Sequence, residues 1–163
     1  MENNLYHWKS SFGSSDSHLF KGIQKLGTLH NSSLDQRAVA TMESGVWTFE
    51  TKGITTPYTQ ILNNDRQPIG TIDFSSWTNR ASVTLGIRHY QWRAVNWLGT
   101  KWELTDNQGN RYEMTSDLSG GVIYGNIEDE LLLLIGLFLR NYYWQYGLLV
   151  FAIVFTTMSI VML

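Results

Sequence analysis

Short runs in which polar and apolar residues alternate fill the first 125 residues of the chain, and an almost uncharged apolar run follows them. Lys101-Trp102-Glu103-Leu104-Thr105 and Arg111-Tyr112-Glu113-Met114-Thr115 flank the turn-forming stretch Asp106-Asn107-Gln108-Gly109-Asn110. Period-two alternation puts Trp102, Leu104, Tyr112 and Met114 on one face, so the pair reads as a hairpin with a dry and a wet side. The segments 58–63 and 67–74 read the same way across Asn63-Asn64-Asp65-Arg66, and Val46-Trp47-Thr48-Phe49-Glu50-Thr51 turns Trp47 and Phe49 to one side. About twelve short strands result, near residues 5–9, 18–21, 23–29, 37–42, 45–51, 58–63, 67–74, 81–86, 90–95, 101–105, 111–116 and 121–125.

These strands carry an internal echo. Ser32-Ser33-Leu34-Asp35-Gln36-Arg37-Ala38-Val39-Ala40-Thr41 reappears as Ser75-Ser76-Trp77-Thr78-Asn79-Arg80-Ala81-Ser82-Val83-Thr84. Leu26-Gly27-Thr28-Leu29 returns at the same spacing as Ile69-Gly70-Thr71-Ile72 and weakly as Glu113-Met114-Thr115-Ser116. Trp8, Trp47 and Trp92 stand ahead of the copies. A constant period means one supersecondary unit reused, here three units of four strands. Short, evenly spaced strands with hairpin turns belong to a sandwich or a closed barrel.

The C-terminal run decides between them. Besides tyrosines and the chain's own carboxylate, Arg140 is the one ionisable group in residues 131–163. A helix apolar all the way round has to be buried in a core or a membrane. Its start is signalled near residue 128: Asn126 can cap, and Glu128, Asp129 and Glu130 complement the positive end of the helix dipole. That gives the acidic trio a structural reason. A tilted twelve-strand barrel leaves about 12–14 Å free between its lining side chains, and a helix with side chains is about 10–12 Å across. The expected fold is therefore mainly β: a closed antiparallel barrel of about twelve strands enclosing one C-terminal hydrophobic helix. Inward candidates are Trp47, Phe49, Trp92, Trp102, Leu104, Tyr112 and Met114.

Composition narrows the chemistry. The 163 residues suit one domain, with 43% hydrophobic, 13% aromatic and 16% charged residues and a net charge of -2. The twelve Lys and Arg are scattered, so no phosphate-tracking surface for nucleic acid is expected. Cysteine is absent, which removes disulfides, thiolate metal sites and thiol nucleophiles. Met1-Glu2-Asn3-Asn4 opens no secretory signal, so a location on the cytoplasmic side is the expectation. No nucleophile elbow, zinc-protease helix, P-loop or dinucleotide fingerprint occurs. His7, His18, His30 and His89 fall on different predicted strands and ends, and Asp106 to Asn110 suits a turn better than a calcium loop. No catalytic residue, metal ligand or cofactor is expected, and the chain reads as a non-enzyme.

In its aromatics and turns the chain resembles the tubby C-terminal-like superfamily, which includes phospholipid scramblases, LURP-one-related proteins and uncharacterised bacterial proteins. The residues that carry this are Val46-Trp47-Thr48-Phe49-Glu50-Thr51-Lys52-Gly53 with Pro57, and Tyr90-Gln91-Trp92-Arg93-Ala94-Val95-Asn96-Trp97 with Trp102, together with the apolar segment 131–146. The resemblance covers roughly residues 4–146 and implies a twelve-stranded barrel wrapped around its last helix. Scramblase-like proteins are associated with calcium through an acidic segment before that helix. Glu128, Asp129 and Glu130 lack its spaced pattern, so the role does not carry over. Tubby binds phosphoinositides through basic residues on its wall; here Lys9, Arg93, Lys101 and Arg111 share theirs with Glu103 and Glu113, so none is transferred.

The apolar segment exceeds the barrel. Residues 1–146 form the expected barrel domain with its axial helix, and residues 147–163 an apolar tail. Arg140-Asn141-Tyr142-Tyr143-Trp144-Gln145-Tyr146 reads as the exit, with amphipathic aromatics at an apolar–water boundary. Residues 147–163 then form a membrane tail or in-plane anchor, pack on the barrel mouth or a second subunit, or continue a transmembrane helix from Leu131. The last option sets Arg140 near the bilayer centre at ~2.5–3.5 kcal/mol. Arg140, Tyr142, Tyr143, Trp144, Tyr146, Leu148, Phe151 and Phe155 are the candidate interface residues. The expected function is a membrane-associated barrel that binds lipid or an apolar group. The alternative is a cytosolic scaffold whose tail makes homo-oligomer or partner contacts.

Overall fold

The computed structural model describes residues 4–11, 14–32, 36–53, 55–75, 78–96, 98–117, 119–126 and 129–161, with side chains as far as Gln145. Twelve strands come first: β1 (Asn4–Ser10), β2 (Asp16–Lys21), β3 (Gln24–Ser32), β4 (Arg37–Met42), β5 (Gly45–Lys52), β6 (Tyr58–Leu62), β7 (Pro68–Phe74), β8 (Arg80–Leu85), β9 (Arg88–Ala94), β10 (Lys101–Asp106), β11 (Arg111–Ser116) and β12 (Gly120–Gly125). A single helix follows, α1 (Glu130–Val161). Each strand pairs with its chain neighbours, and β12 returns to pair with β1 from Asn4↔Gly125 to Lys9↔Gly120. This is a closed antiparallel barrel, which leaves no sheet edge open to another chain.

Side-chain alternation fixes the register. In β9, Tyr90 and Trp92 are buried while His89, Gln91 and Arg93 face out; in β11, Tyr112 and Met114 go in and Arg111 and Glu113 out. A slip of one residue would turn each row inside out. Of the inward candidates, Phe49, Trp92, Trp102, Leu104, Tyr112 and Met114 are buried, and Trp47 is partly buried against the core. Two hairpins, β2–β3 and β8–β9, turn through Gly22 (φ 59°) and Gly86 (φ 57°), left-handed angles that glycine adopts without a Cβ penalty.

The spacing that relates Leu26-Gly27-Thr28-Leu29 to Ile69-Gly70-Thr71-Ile72 is matched in the backbone. Leu19 pairs with Gly27 and Phe20 with Lys25, so the register skips Leu26; Ile61 pairs with Gly70 and Leu62 with Pro68, so it skips Ile69. The skipped residue forms a bulge beside a glycine that the neighbouring strand approaches closely: a Cβ on Gly27 would lie 2.9 Å from the Thr41 carbonyl, and one on Gly70 2.7 Å from Leu85 Cδ2. In β11, four strands beyond β7, the pairing is regular on both sides.

The helix occupies the lumen. Leu132 to Ile135 and Leu137 to Leu139 are buried on all sides, by strands from around the ring. Phe138 stacks on Phe49 at 4.7 Å, and the Tyr112 hydroxyl donates to the Leu132 carbonyl at 2.6 Å. Gly136 sits against the Tyr112 ring and the Met114 methyl, with no room for a Cβ. Burial in this apolar contact raises the Tyr112 hydroxyl far above an ordinary phenol.

The expected cap is corrected. The helix starts at Glu130, and Asp129 caps it: its Oδ1 accepts from Leu131 N at 3.1 Å and its carbonyl from Leu132 N at 3.0 Å. Asn126 instead closes the sheet, its Oδ1 accepting from Arg111 N at 2.8 Å. An amide beside a strand end found a better use there than a cap three residues away. Glu128 lies outside the described residues. Asp106 Oδ1 accepts from Gln108 N and Asn110 N, so 106–110 is a closed hairpin turn.

Candidate functional site at the barrel mouth

The antiparallel registers give the barrel two distinct ends. At one lie the tight turns after β2, β4, β6, β8 and β10, and the helix enters there from β12. At the other lie the connections after β1, β3, β5, β7, β9 and β11, and the helix leaves between them. The rim of this mouth is set by Ser10, Asp16, Arg80, Ala94, Lys101 and Gly120. Residues 140–144 form the plug in it.

Arg140 is held on two sides. Its guanidinium lies 4.8 Å from the Trp8 ring and 5.5 Å from the Trp144 ring, contacts in which the cation meets the negative face of the π-system. It donates to Asn141 Oδ1 at 3.0 Å and to the Asp117 carbonyl at 3.4 Å. Desolvation pulls its basicity below that of a free guanidinium, and the Asp117 charge partly restores it. Asn141 reaches Ser17 Oγ at 3.5 Å across the lumen.

The opposite side of the plug is aromatic. Tyr143 stacks on Trp92 at 5.0 Å, Trp92 stacks on Trp102 at 4.4 Å, and Tyr142 stacks on Phe74 at 3.9 Å. The Tyr143 hydroxyl donates to the Arg80 carbonyl on the rim, and burial pushes that hydroxyl well above the ordinary phenol range. The indole N–H groups of Trp8, Trp92 and Trp102 are buried without an acceptor among the described residues. These aromatics set the depth of the helix through flat contacts together with the Tyr143 hydroxyl on the rim.

Arg140, Tyr142 and Tyr143 thus pack into the mouth, while Trp144 is 46% exposed beside the outgoing helix. The side chains of Tyr146, Leu148, Phe151 and Phe155 lie outside the described residues. Val95 (52% exposed) and Leu98 (58%) stand on the β9–β10 connection at the same end. Among the described residues no helix is long and apolar enough to cross a membrane, so the expectation of a transmembrane helix finds no counterpart there. Lys9, Arg93, Lys101 and Arg111 face outward; Arg93 is tied to Glu103 at 2.7 Å and Arg111 to Glu113 at 3.7 Å, which keeps the wall mixed in charge.

The four histidines fall on four different strands, as expected, but three of those strands are neighbours. His7, His18 and His30 share the outer face of three adjacent strands, β1, β2 and β3, brought side by side by pairings such as His7↔Phe20, Lys9↔His18 and Asp16↔His30. Only His89 stands apart, on β9. The sequence separates them by loops of different length, so nothing local signals their meeting. His18 Nδ1 bonds Thr28 Oγ1 at 3.2 Å and Ser17 points into the lumen, so no nucleophilic triad forms with Asp16. No group of three or more His, Asp or Glu among the described residues could hold a metal ion. A depression of about 640 Å³ lies on this wall next to the mouth, lined by His7, Lys9, His18, Asp117, Ser119 and Gly120 among others. Sequence reading missed Trp8, Ser17 and Asp117 as partners of the plug, because they meet it only when β12 closes on β1.

The fold and this mouth define a helix-plugged, closed antiparallel barrel. No family model, curated protein or solved structure matches the chain.

Proposed function

We propose that this is a non-enzymatic, tubby-like barrel that associates peripherally with a membrane through the mouth from which α1 emerges, binding lipid acyl matter there. One observation carries the reading. The helix fills the barrel with residues 131–143, about 20 Å of rise, yet it runs on to Val161, another ~27 Å. The sequence of that extension, from Gly147 onward, contains no charge. Apolar helix surface outside a barrel needs a cover, and lipid is the one that requires no second protein. Exposed Trp144, Val95 and Leu98 around the same mouth suit an interfacial belt.

Membrane flotation of the full chain and of a chain ending at Tyr146 tests this. The full chain is expected to float with vesicles and the shortened one to stay in solution with the near-ultraviolet signal of its packed tryptophans intact. A full chain that stays in solution as a large native assembly would replace this reading with the scaffold whose tail joins copies.

A further inference from the structure

We propose that the outer wall of β1–β3 beside the mouth is an acid-activated docking surface for a membrane bearing anionic lipid. This rests on the membrane reading above and adds its regulation. The wall gathers three of the chain's four histidines, and each lies within three residues of a strand end at the mouth: His7 stands three residues before Ser10 in β1, His18 is third in β2 and His30 third from last in β3. At about 3.3 Å per residue these side chains sit within about 10 Å of the rim, close to the distance over which salt screens a charged surface.

Among the described residues, the charged groups facing this half of the wall are few. Lys9 lies directly opposite His18. Asp16 pairs with His30 at 2.6 Å. Asp117 flanks the depression from the β11–β12 connection, and its carboxylate is occupied by the Ser119 and Gly120 N–H groups at 2.8 and 2.7 Å. Arg37 stands on β4, beyond this wall, where it shares Glu50 with Arg66, each at 3.0 Å, and Arg140 lies inside the mouth behind Trp8. Lys21 and Lys25 belong to the far half. His7 stacks flat on Phe20 at 5.0 Å, and neutral Thr28 receives His18.

Imidazole is the side chain that gains its charge between pH 8 and pH 5. With neutral histidines the described residues of the wall carry one lysine against two aspartates and are net negative. With all three protonated they carry four cations against the same two aspartates, and the sign of the wall reverses. A negative wall beside an anionic membrane is repelled, and a positive one is drawn to it. The other basic groups at the mouth, Arg80, Arg93 and Lys101, stand on β8, β9 and β10, away from this wall.

The test is flotation of the full chain with phosphatidylcholine vesicles and with vesicles carrying about a third phosphatidylglycerol, at pH 7.5 and 5.5. Binding to the anionic vesicles is expected to rise on the order of tenfold on acidification and to fall back in high salt. H7Q/H18Q/H30Q should keep the pH 7.5 binding and lose the rise, and H89Q should keep both. H18K, which fixes one charge, should bind anionic vesicles more tightly at pH 7.5 and respond less to acid, so the inference stays testable if the triple variant misfolds. Equal binding at both pH values, or a rise that survives the triple variant or is matched on phosphatidylcholine alone, overturns the acid-activated wall and leaves the membrane reading standing. Absence from both kinds of vesicle at both pH values overturns the membrane reading as well.

Discussion

Gly136 shows how little slack the lumen has. It lies on a stretch of helix that is buried on every side, and its missing side chain is the space in which the Tyr112 ring and the Met114 methyl sit. Tyr112 uses that space to reach the Leu132 carbonyl with its hydroxyl. Replacing Gly136 with Ala pushes a methyl group into both neighbours at once. Alanine favours helix by about 1 kcal/mol over glycine, but overpacking a filled core costs about 1–3 kcal/mol, and here the second effect wins because the obstructing ring is held on a strand. G136A is therefore expected to lower the urea midpoint, whereas Y112F/G136A should recover part of the loss by removing the hydroxyl. A G136A protein as stable as the parent would show that the lumen can yield.

Turns and caps obey a similar economy of partners. The Asp117 carboxylate closes the β11–β12 connection: exposed, it accepts from Ser119 and Gly120 N–H, and these bonds hold it below the ordinary carboxylate value of 3.8. A depressed group favours the folded connection above that value, and the benefit is lost as pH falls through the lower, folded one. Amide exchange at Ser119 and Gly120 should thus be slow at pH 5 relative to its intrinsic rate and lose protection on titration towards pH 2, and D117A should lack that protection already at pH 5. Protection unchanged down to pH 2 would mean that the carboxylate is incidental. Such local uses also set what could be read in advance. Period-two alternation made the twelve strands legible to within two or three residues at each end, since each pairs an apolar with a solvated face. The uncharged run made the plug legible for the complementary reason. The cap was misplaced because Asn126 and Asp129 offer similar acceptors and only the position of Arg111 N separates them. The bulges at Leu26 and Ile69 were hidden, although the Leu-Gly-Thr-Leu and Ile-Gly-Thr-Ile repeat pointed to the glycines that permit them. At the mouth, Arg140, Tyr142, Tyr143 and Trp144 are legible by their mixed character, while Trp8, Ser17 and Asp117 meet them only once the ring encloses the helix, and the three-histidine wall arises from the registers of β1–β2 and β2–β3.

Closure and plugging are expected to be one event. The strands alone enclose a space lined by Trp8, Phe49, Trp92, Trp102 and Tyr112, which water would have to fill. The helix alone is apolar on all sides and would have nothing to bury against. Neither partner has a separate core, so the barrel should form only when the last element of the chain has docked. A fragment of residues 1–126 is accordingly expected to lack the near-ultraviolet signal of its packed tryptophans. Adding a peptide of residues 129–146 should restore that signal with saturable, equimolar binding, because this segment holds the Asp129 cap, the Gly136 gap and the Arg140–Tyr143 lock. The same peptide with G136L should fail, since its side chain meets the Tyr112 ring with no path to relax. If the strand fragment showed a packed near-ultraviolet spectrum by itself, the helix would be a passenger in a self-sufficient barrel, and its extension past the mouth would no longer be tied to the fold that holds it.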